Sequence, residues 1–158
     1  MSLLPRWRRL EQSLLHARHN DGSVVLLFID LDGFKHVNDA EGHRAGDEVL
    51  RIVAQRIAST VRAGDTMARL GGDEFLVMLD REVTREVTDT IGHRIIEALH
   101  QPMAVEGRDI FVGASIGVAM HPPLAGDIDA LMNRADQAMY AAKRAGKGRL
   151  HFAEATTS

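Results

Sequence analysis

Apolar residues run along this chain in two rhythms, and the switches between them mark out its elements. Residues 5–19 set Trp7, Leu10, Leu14 and Leu15 at helical spacing among basic positions, and the H-N-D-G of His19–Gly22 supplies a turn. Val24–Ile29, V-V-L-L-F-I, has no polar face, which predicts a strand buried on both sides. Gly46–Val61 returns to helical spacing through Leu50, Val53, Ile57 and Val61, with Gly64 as a stop. Thr66–Leu70 and Glu74–Leu79 then read as short strands joined by Gly71-Gly72-Asp73, a β-hairpin.

Further on, Val87, Ile91, Ile95 and Leu99 predict a helix over residues 83–100, closed by Pro102. The stretch M-A-V-E-G-R-D-I-F-V-G-A-S-I-G-V-A-M reads as a hairpin turning at Glu106-Gly107-Arg108-Asp109, with a long, glycine-bearing second strand. Asp127–Ala145 carries Ile128, Leu131, Met132, Ala135, Met139 and Ala142 on one helical face, and Leu150–Phe152 reads as an edge strand. Strands and helices interleave, but the hairpins rule out a purely parallel sheet. The expected class is α+β: a mixed, mainly antiparallel sheet of about five strands covered by helices.

Composition narrows the setting. A chain of 158 residues suits one domain and can bury a core without disulfides. With no cysteine, thiolate metal sites are excluded and a reducing cytoplasm is the expected location, a membrane-anchored parent protein staying compatible. A net charge of -3 gives no basic footprint for nucleic acid. No apolar run reaches membrane-spanning length, and Trp7 among arginines interrupts any signal-peptide pattern. The histidines form no H-E-x-x-H or similar pair.

The candidate chemistry lies in acids at strand ends. The first strand closes in F-I-D-L-D-G-F-K, and extended geometry would point Asp30 and Asp32 to the same side. Asp73 and Glu74 sit in the hairpin turn, so a central strand end beside that hairpin would gather both pairs. Neighbouring carboxylates repel and are costly to desolvate. A divalent cation relieves both costs, and oxygen ligands completed by water and substrate phosphate suit Mg²⁺. Turn-favouring acids are the plainer reading of either pair alone. Phosphoryl or nucleotidyl transfer fits such a cluster. Neither G-x-x-x-x-G-K-[ST] nor G-x-G-x-x-G occurs, which leaves phosphates to the amides of a helix beginning at Gly33-Phe34-Lys35 and to Lys35, Lys143 and Lys147.

The segments F-I-D-L-D-G-F-K-H-V-N-D-A-E-G-H-R-A-G-D-E-V-L, A-R-L-G-G-D-E-F-L-V-M-L, A-S-I-G-V-A-M and A-D-Q-A-M-Y-A-A-K-R-A-G-K-G-R-L closely resemble the GGDEF family, the diguanylate cyclases, in the family's order. The resemblance runs from about Leu4 to Phe152. It implies a palm-like, nucleotide-cyclase-like fold and condensation of two GTP into cyclic di-GMP and two pyrophosphates, dependent on Mg²⁺ or Mn²⁺, across a two-fold homodimer. Carried over by position, Asp30, the Leu31 carbonyl and Asp73 would hold metal, and Glu74 would either add a ligand or act as base, making Asp73 and Glu74 the catalytic pair. Asn38 and Asp47 would read guanine, whose paired N–H edge a carboxylate can accept. Lys35, Lys143 and Lys147 would hold the triphosphate. Arg62 and Asp65 match an R-x-x-D site for inhibitory product, where the plainer reading is a helix end and turn. The alternative function is a noncatalytic sensor of GTP or cyclic di-GMP that regulates a partner.

The chain departs from the family pattern in places. Arg6 and Trp7 stand where an Asn-Arg lead-in is usual, Gly148 replaces a frequent Asn, and Lys147 replaces the commoner Arg, keeping charge but losing a bidentate fork. Residues 1–20 are expected to form an N-terminal helix linked to an upstream sensor or phosphodiesterase domain, and residues 21–158 the GGDEF domain.

Overall fold

The structure, a computed structural model, describes residues 24–79, 83–121 and 128–153. The helix read over residues 5–19 lies outside them. Five strands form the main sheet: β1 (Val24–Asp32), β2 (Thr66–Gly71), β3 (Glu74–Leu79), β6 (Gly113–His121) and β7 (Leu150–Phe152). Their order is β2-β3-β1-β6-β7, antiparallel throughout except for the parallel β6–β7 edge. This bears out the predicted mixed sheet and the edge strand.

β1 lies at the centre and is covered on both faces, which is why its sequence shows no alternation. Its odd-numbered residues Val25, Leu27, Ile29 and Leu31 pack with α2 (His43–Thr60) and α3 (Arg85–His100), through Val49, Val53, Ile57, Ile91, Ile95 and Leu99. Its even-numbered residues Val24, Leu26 and Phe28 pack with Leu131, Met132, Ala135 and Met139 of α4 (Ile128–Arg144). The period of two therefore sends Asp30 and Asp32 to the α4 face. There β6 and α4 come close together: a Cβ on Gly117 would collide with the Ala135 carbonyl oxygen and the Met139 amide nitrogen.

Two local readings are corrected. The reading of one long strand after the Glu106–Asp109 turn merges two: β4 (Met103–Val105) and β5 (Arg108–Ile110) pair only with each other, while β6 pairs with β1 from Gly113. Phe111 and Val112 carry the chain between the sheets, an extended passage that hydrophobic rhythm cannot separate from a strand. The turn is only Glu106-Gly107, with φ of 51° and 77°, the positive pair that suits a two-residue hairpin. The helix read from Gly46 begins earlier, at His43. It follows a separate helix, α1 (Phe34–Glu41), from which Gly42 at φ 91° divides it.

Candidate active site

Because Asp30 and Asp32 share the α4 face, α4 can meet them. Lys143 in its last turn does so, its Nζ lying 3.0 Å from Asp30 Oδ2 and 3.4 Å from Asp32 Oδ1. Across the sheet, Asp30 is the register partner of Glu74 on one side and of Ser115 on the other. The hairpin tip is fastened to β1 by the Leu31 amide, which donates to the Asp73 carbonyl oxygen at 3.1 Å. Gly71 and Gly72, at φ 148° and 50°, allow that sharp tip. The strand end and the hairpin thus lie together, as their acids suggested.

The two acids of β1 are bonded differently. Asp32 accepts from Ser115 Oγ at 2.8 and 3.0 Å and from the Gly148 amide at 3.0 Å, besides pairing with Lys143. Its lone pairs are spoken for by the fold. Asp30 differs: its Oδ1 is buried with no hydrogen-bond partner. Burial, with repulsion from Asp73 and the hydrogen bond that a protonated Asp30 can donate to it, pushes the Asp30 carboxyl up from 3.8 to about 6, against the pull of Lys143. Glu74 is raised as well, by burial first and then by Asp30, Asp136 and Asp73. Burial alone would lower the Lys143 pKa, but hydrogen bonding and attraction from Asp30 and Asp32 together raise it.

An orphaned, buried carboxylate oxygen beside two further acids is the donor chemistry of a hard divalent cation, and Asp30, Asp73 and Glu74 fit one. Among the described residues, no group of at least three His, Cys, Asp or Glu side chains is gathered tightly enough to enclose a metal by itself. Mg²⁺ takes one or two carboxylates from protein and fills its shell with water and phosphate oxygens.

The residues expected to read guanine lie on two helices in contact, Asn38 on α1 and Asp47 on α2. The Asn38 side chain occupies the space over Gly46, the residue before Asp47, where a Cβ would collide with its Oδ1. Asp47 is exposed and lines an open groove of about 490 Å³ with Leu50, Arg51, Met67 and Arg69. Lys35 is exposed on the first turn of α1. Lys147 is exposed in the connection after α4, at φ 64°.

Past the end of α2, Asp65 closes the R-A-G-D turn: Arg62 N donates to Asp65 Oδ2 at 3.0 Å, and Asp65 N donates to the Arg62 carbonyl oxygen at 3.0 Å. The turn reading of these residues is therefore real. The Arg62 side chain is free of that task and lines a pocket of about 250 Å³ with Thr60, Val87, Thr90 and Arg94. Sequence reasoning missed Arg94, because its helical spacing marks only a solvent-facing position on α3.

A family model described as "Diguanylate cyclase, GGDEF domain" matches residues 7–149. The chain belongs to the GGDEF family. Over 150 residues the domain is 43% identical to the bifunctional diguanylate cyclase/cyclic di-GMP phosphodiesterase MucR of Pseudomonas aeruginosa, covering 94% of this chain and 22% of MucR. Over 141 residues it is 34% identical to the cyclic di-GMP phosphodiesterase NbdA of the same organism, covering 89% of this chain and 18% of NbdA. It thus spans about a fifth of the length of either relative. The crystal structure of the GGDEF domain of TpbB from Pseudomonas aeruginosa superposes with a TM-score of 0.86 at 39% identity, covering 94% of this chain and 92% of that one. The GGDEF tip is the turn that holds Asp73 and Glu74 against β1.

Proposed function

We propose that this GGDEF domain is a diguanylate cyclase that condenses two GTP into cyclic di-GMP, with Mg²⁺ or Mn²⁺, across a two-fold pair of chains. The observation that carries the reading is the opposition of Asp30 and Glu74 across β1 and β3, with Asp30 Oδ1 orphaned beneath the Asp73 turn. The cation supplies charge neutralisation at the phosphates and a lower pKa for the attacking hydroxyl.

The chain's own residues account for the remaining steps. Asn38 and Asp47 hold guanine by its N–H edge, which adenine lacks. Lys35, Lys143 and Lys147 bind the triphosphate, Lys143 exchanging its carboxylate partners for phosphate oxygens as GTP enters. Glu74, whose raised pKa makes it a better proton acceptor than a free glutamate, takes the 3′-hydroxyl proton or adds a ligand. Each 3′-oxygen bonds to the α-phosphorus of the other GTP, the α–β bridging bond breaks, and pyrophosphate leaves. A two-fold product favours two identical half-sites facing each other. Arg62, with Asp65 ordering its turn, captures product. Residues 1–20 join this domain to a sensor or phosphodiesterase domain, and the site faces the cytoplasm. Among the described residues no helix is long and apolar enough to cross a membrane.

The likeness to NbdA, named as a phosphodiesterase, favours a second reading: a noncatalytic module that binds GTP or cyclic di-GMP and regulates an attached domain. One assay separates the two. The purified chain at high concentration is incubated with GTP and Mg²⁺, cyclic di-GMP is followed by chromatography, and Asp73→Ala runs alongside. Product that rises steeply with protein concentration and disappears in the variant supports the cyclase. Nucleotide binding without product overturns it in favour of the sensor.

A further inference from the structure

Asp32 stands two residues from Asp30 on the same face of β1, yet its bonding is of another kind. Its neighbour across the β1–β6 ladder is Gly113, where a Cβ would stand 3.2 Å from Asp32 Oδ2 and 3.3 Å from its Cβ, so the carboxylate lies folded against β6. On β6, fully buried Ser115 donates to both of its oxygens. From the far side of the site the Gly148 amide donates to Oδ2, and Lys143 Nζ closes on Oδ1. With these partners Asp32 has little left to offer a cation.

What it holds is the connection from α4 to β7. Gly146, Lys147 and Gly148 follow one another at φ 127°, 64° and 60°, and Lys147 has a Cβ that disfavours this conformation. Such a residue persists only where its surroundings over-determine it. Here the Lys147 amide donates to the Ala142 carbonyl oxygen at 3.1 Å, and the Ile116 amide donates to the Arg149 carbonyl oxygen at 3.0 Å. The only side-chain oxygen of β1 that reaches this connection is Asp32 Oδ2, through the next amide after Lys147.

We propose that Asp32 is a positioning residue and not a metal ligand: by gripping Gly148 N and Lys143 together it sets Lys143 and Lys147 at the separation that binds a triphosphate. The inference rests on the GTP reading given above.

The test compares wild type, Asp32→Ala, Asp32→Asn and Asp30→Ala, each checked by circular dichroism, with Ser115→Ala as a milder probe of the same grip. Affinities for a non-hydrolysable GTP analogue and for GMP are measured with Mn²⁺, and Mn²⁺ coordination is followed by electron paramagnetic resonance. Asp32→Ala should weaken the triphosphate about tenfold or more while leaving GMP nearly unchanged. Asp32→Asn, which keeps an acceptor for Gly148 and Ser115, should lose less, and both should keep the Mn²⁺ signal that Asp30→Ala abolishes. Unchanged triphosphate affinity in Asp32→Ala, or loss of Mn²⁺ coordination matching Asp30→Ala, overturns the proposal. Amide hydrogen exchange of the nucleotide-free chain separates this failure from that of the GTP reading. Faster exchange at Gly148 in Asp32→Ala but not Asp30→Ala supports the grip even if wild type binds no GTP. Unchanged exchange refutes it.

Discussion

Asp30 and Glu74 stand opposite each other in the β1–β3 register, two acids on neighbouring strands with a third, Asp73, in the adjoining turn. The fold brings them together at a cost that only protonation, Lys143 or a cation can offset. Metal-free protein should therefore show it.

The Asp30 carboxyl has a folded-state pKa of about 6 against an ordinary 3.8. Between those values the folded state binds more protons than the unfolded chain, so stability falls as pH rises. The contribution is fully present below the unfolded value and is lost as pH passes through about 6. Glu74, also raised, acts in the same direction. In EDTA, melting of wild type relative to Asp30→Asn should decline from pH 4 to pH 7, measured by calorimetry (about the span between the ordinary and folded pKa values). Asp30→Asn should be the more stable at pH 7 and inactive as a cyclase. A flat difference across that range would refute the repulsion.

Gly46→Ala tests the guanine-reading corner. The new Cβ collides with Asn38 Oδ1 and stands 3.1 Å from Asn38 Cγ and 3.4 Å from Phe34 Cζ. Overpacking costs about 1–3 kcal/mol, while replacing a mid-helix glycine returns about 1 kcal/mol. Asn38 is only half-buried and can swing outward, so the stability change should be small. The displaced side chain should raise the KM for GTP about tenfold and narrow the preference for GTP over ATP, read from steady-state kinetics. A large loss of stability with unchanged KM would place the Asn38 role in packing.

Gly117→Ala should behave in the opposite way. Its Cβ would meet backbone that cannot rotate aside: the Ala135 carbonyl oxygen, the Met139 amide nitrogen, and Ala138 C at 2.8 Å. The cost should lie near the top of the overpacking range, about 3 kcal/mol by urea denaturation. Because α4 must lift from β6, Lys143 should also lose its register with Asp30, and triphosphate binding should weaken.

These contrasts show what the sequence could reveal. The central sheet was legible because β1 and β3 are long apolar runs and Gly71-Gly72 punctuates their hairpin, and the motif order identified the family. The division between β5 and β6 was not legible, since both are extended and only pairing partners tell them apart. Nor was the difference between Asp30 and Asp32. Two acids two positions apart look equivalent in a string, and it takes Ser115, Gly148 and Lys143, all distant in sequence, to show that one is bonded to the fold and the other left with a bare oxygen. Arg94 escaped for the same reason: only the packing of α3 beside the turn after α2 reveals that it shares a pocket with Arg62.

That pocket yields a last expectation. Asp47 lies near the start of α2 and Arg62 just beyond its end, a helix of 18 residues. At about 1.5 Å per residue they are separated by roughly 20 Å, too far for one nucleotide to touch both. Cyclic di-GMP held by Arg62 and Arg94 should therefore inhibit without competing with GTP, lowering kcat and leaving KM nearly unchanged. Two arginine forks facing one pocket suit a bis-phosphate or guanine edge, and each charge-assisted contact contributes about 1.5–3 kcal/mol. Arg62→Ala should thus raise the inhibitory concentration of cyclic di-GMP about tenfold or more, and Arg94→Ala should do so without disturbing the turn that Asp65 closes. The measurement is initial rate against added product at several GTP concentrations. Competitive inhibition, or inhibition indifferent to both substitutions, would show that product acts at the GTP site instead.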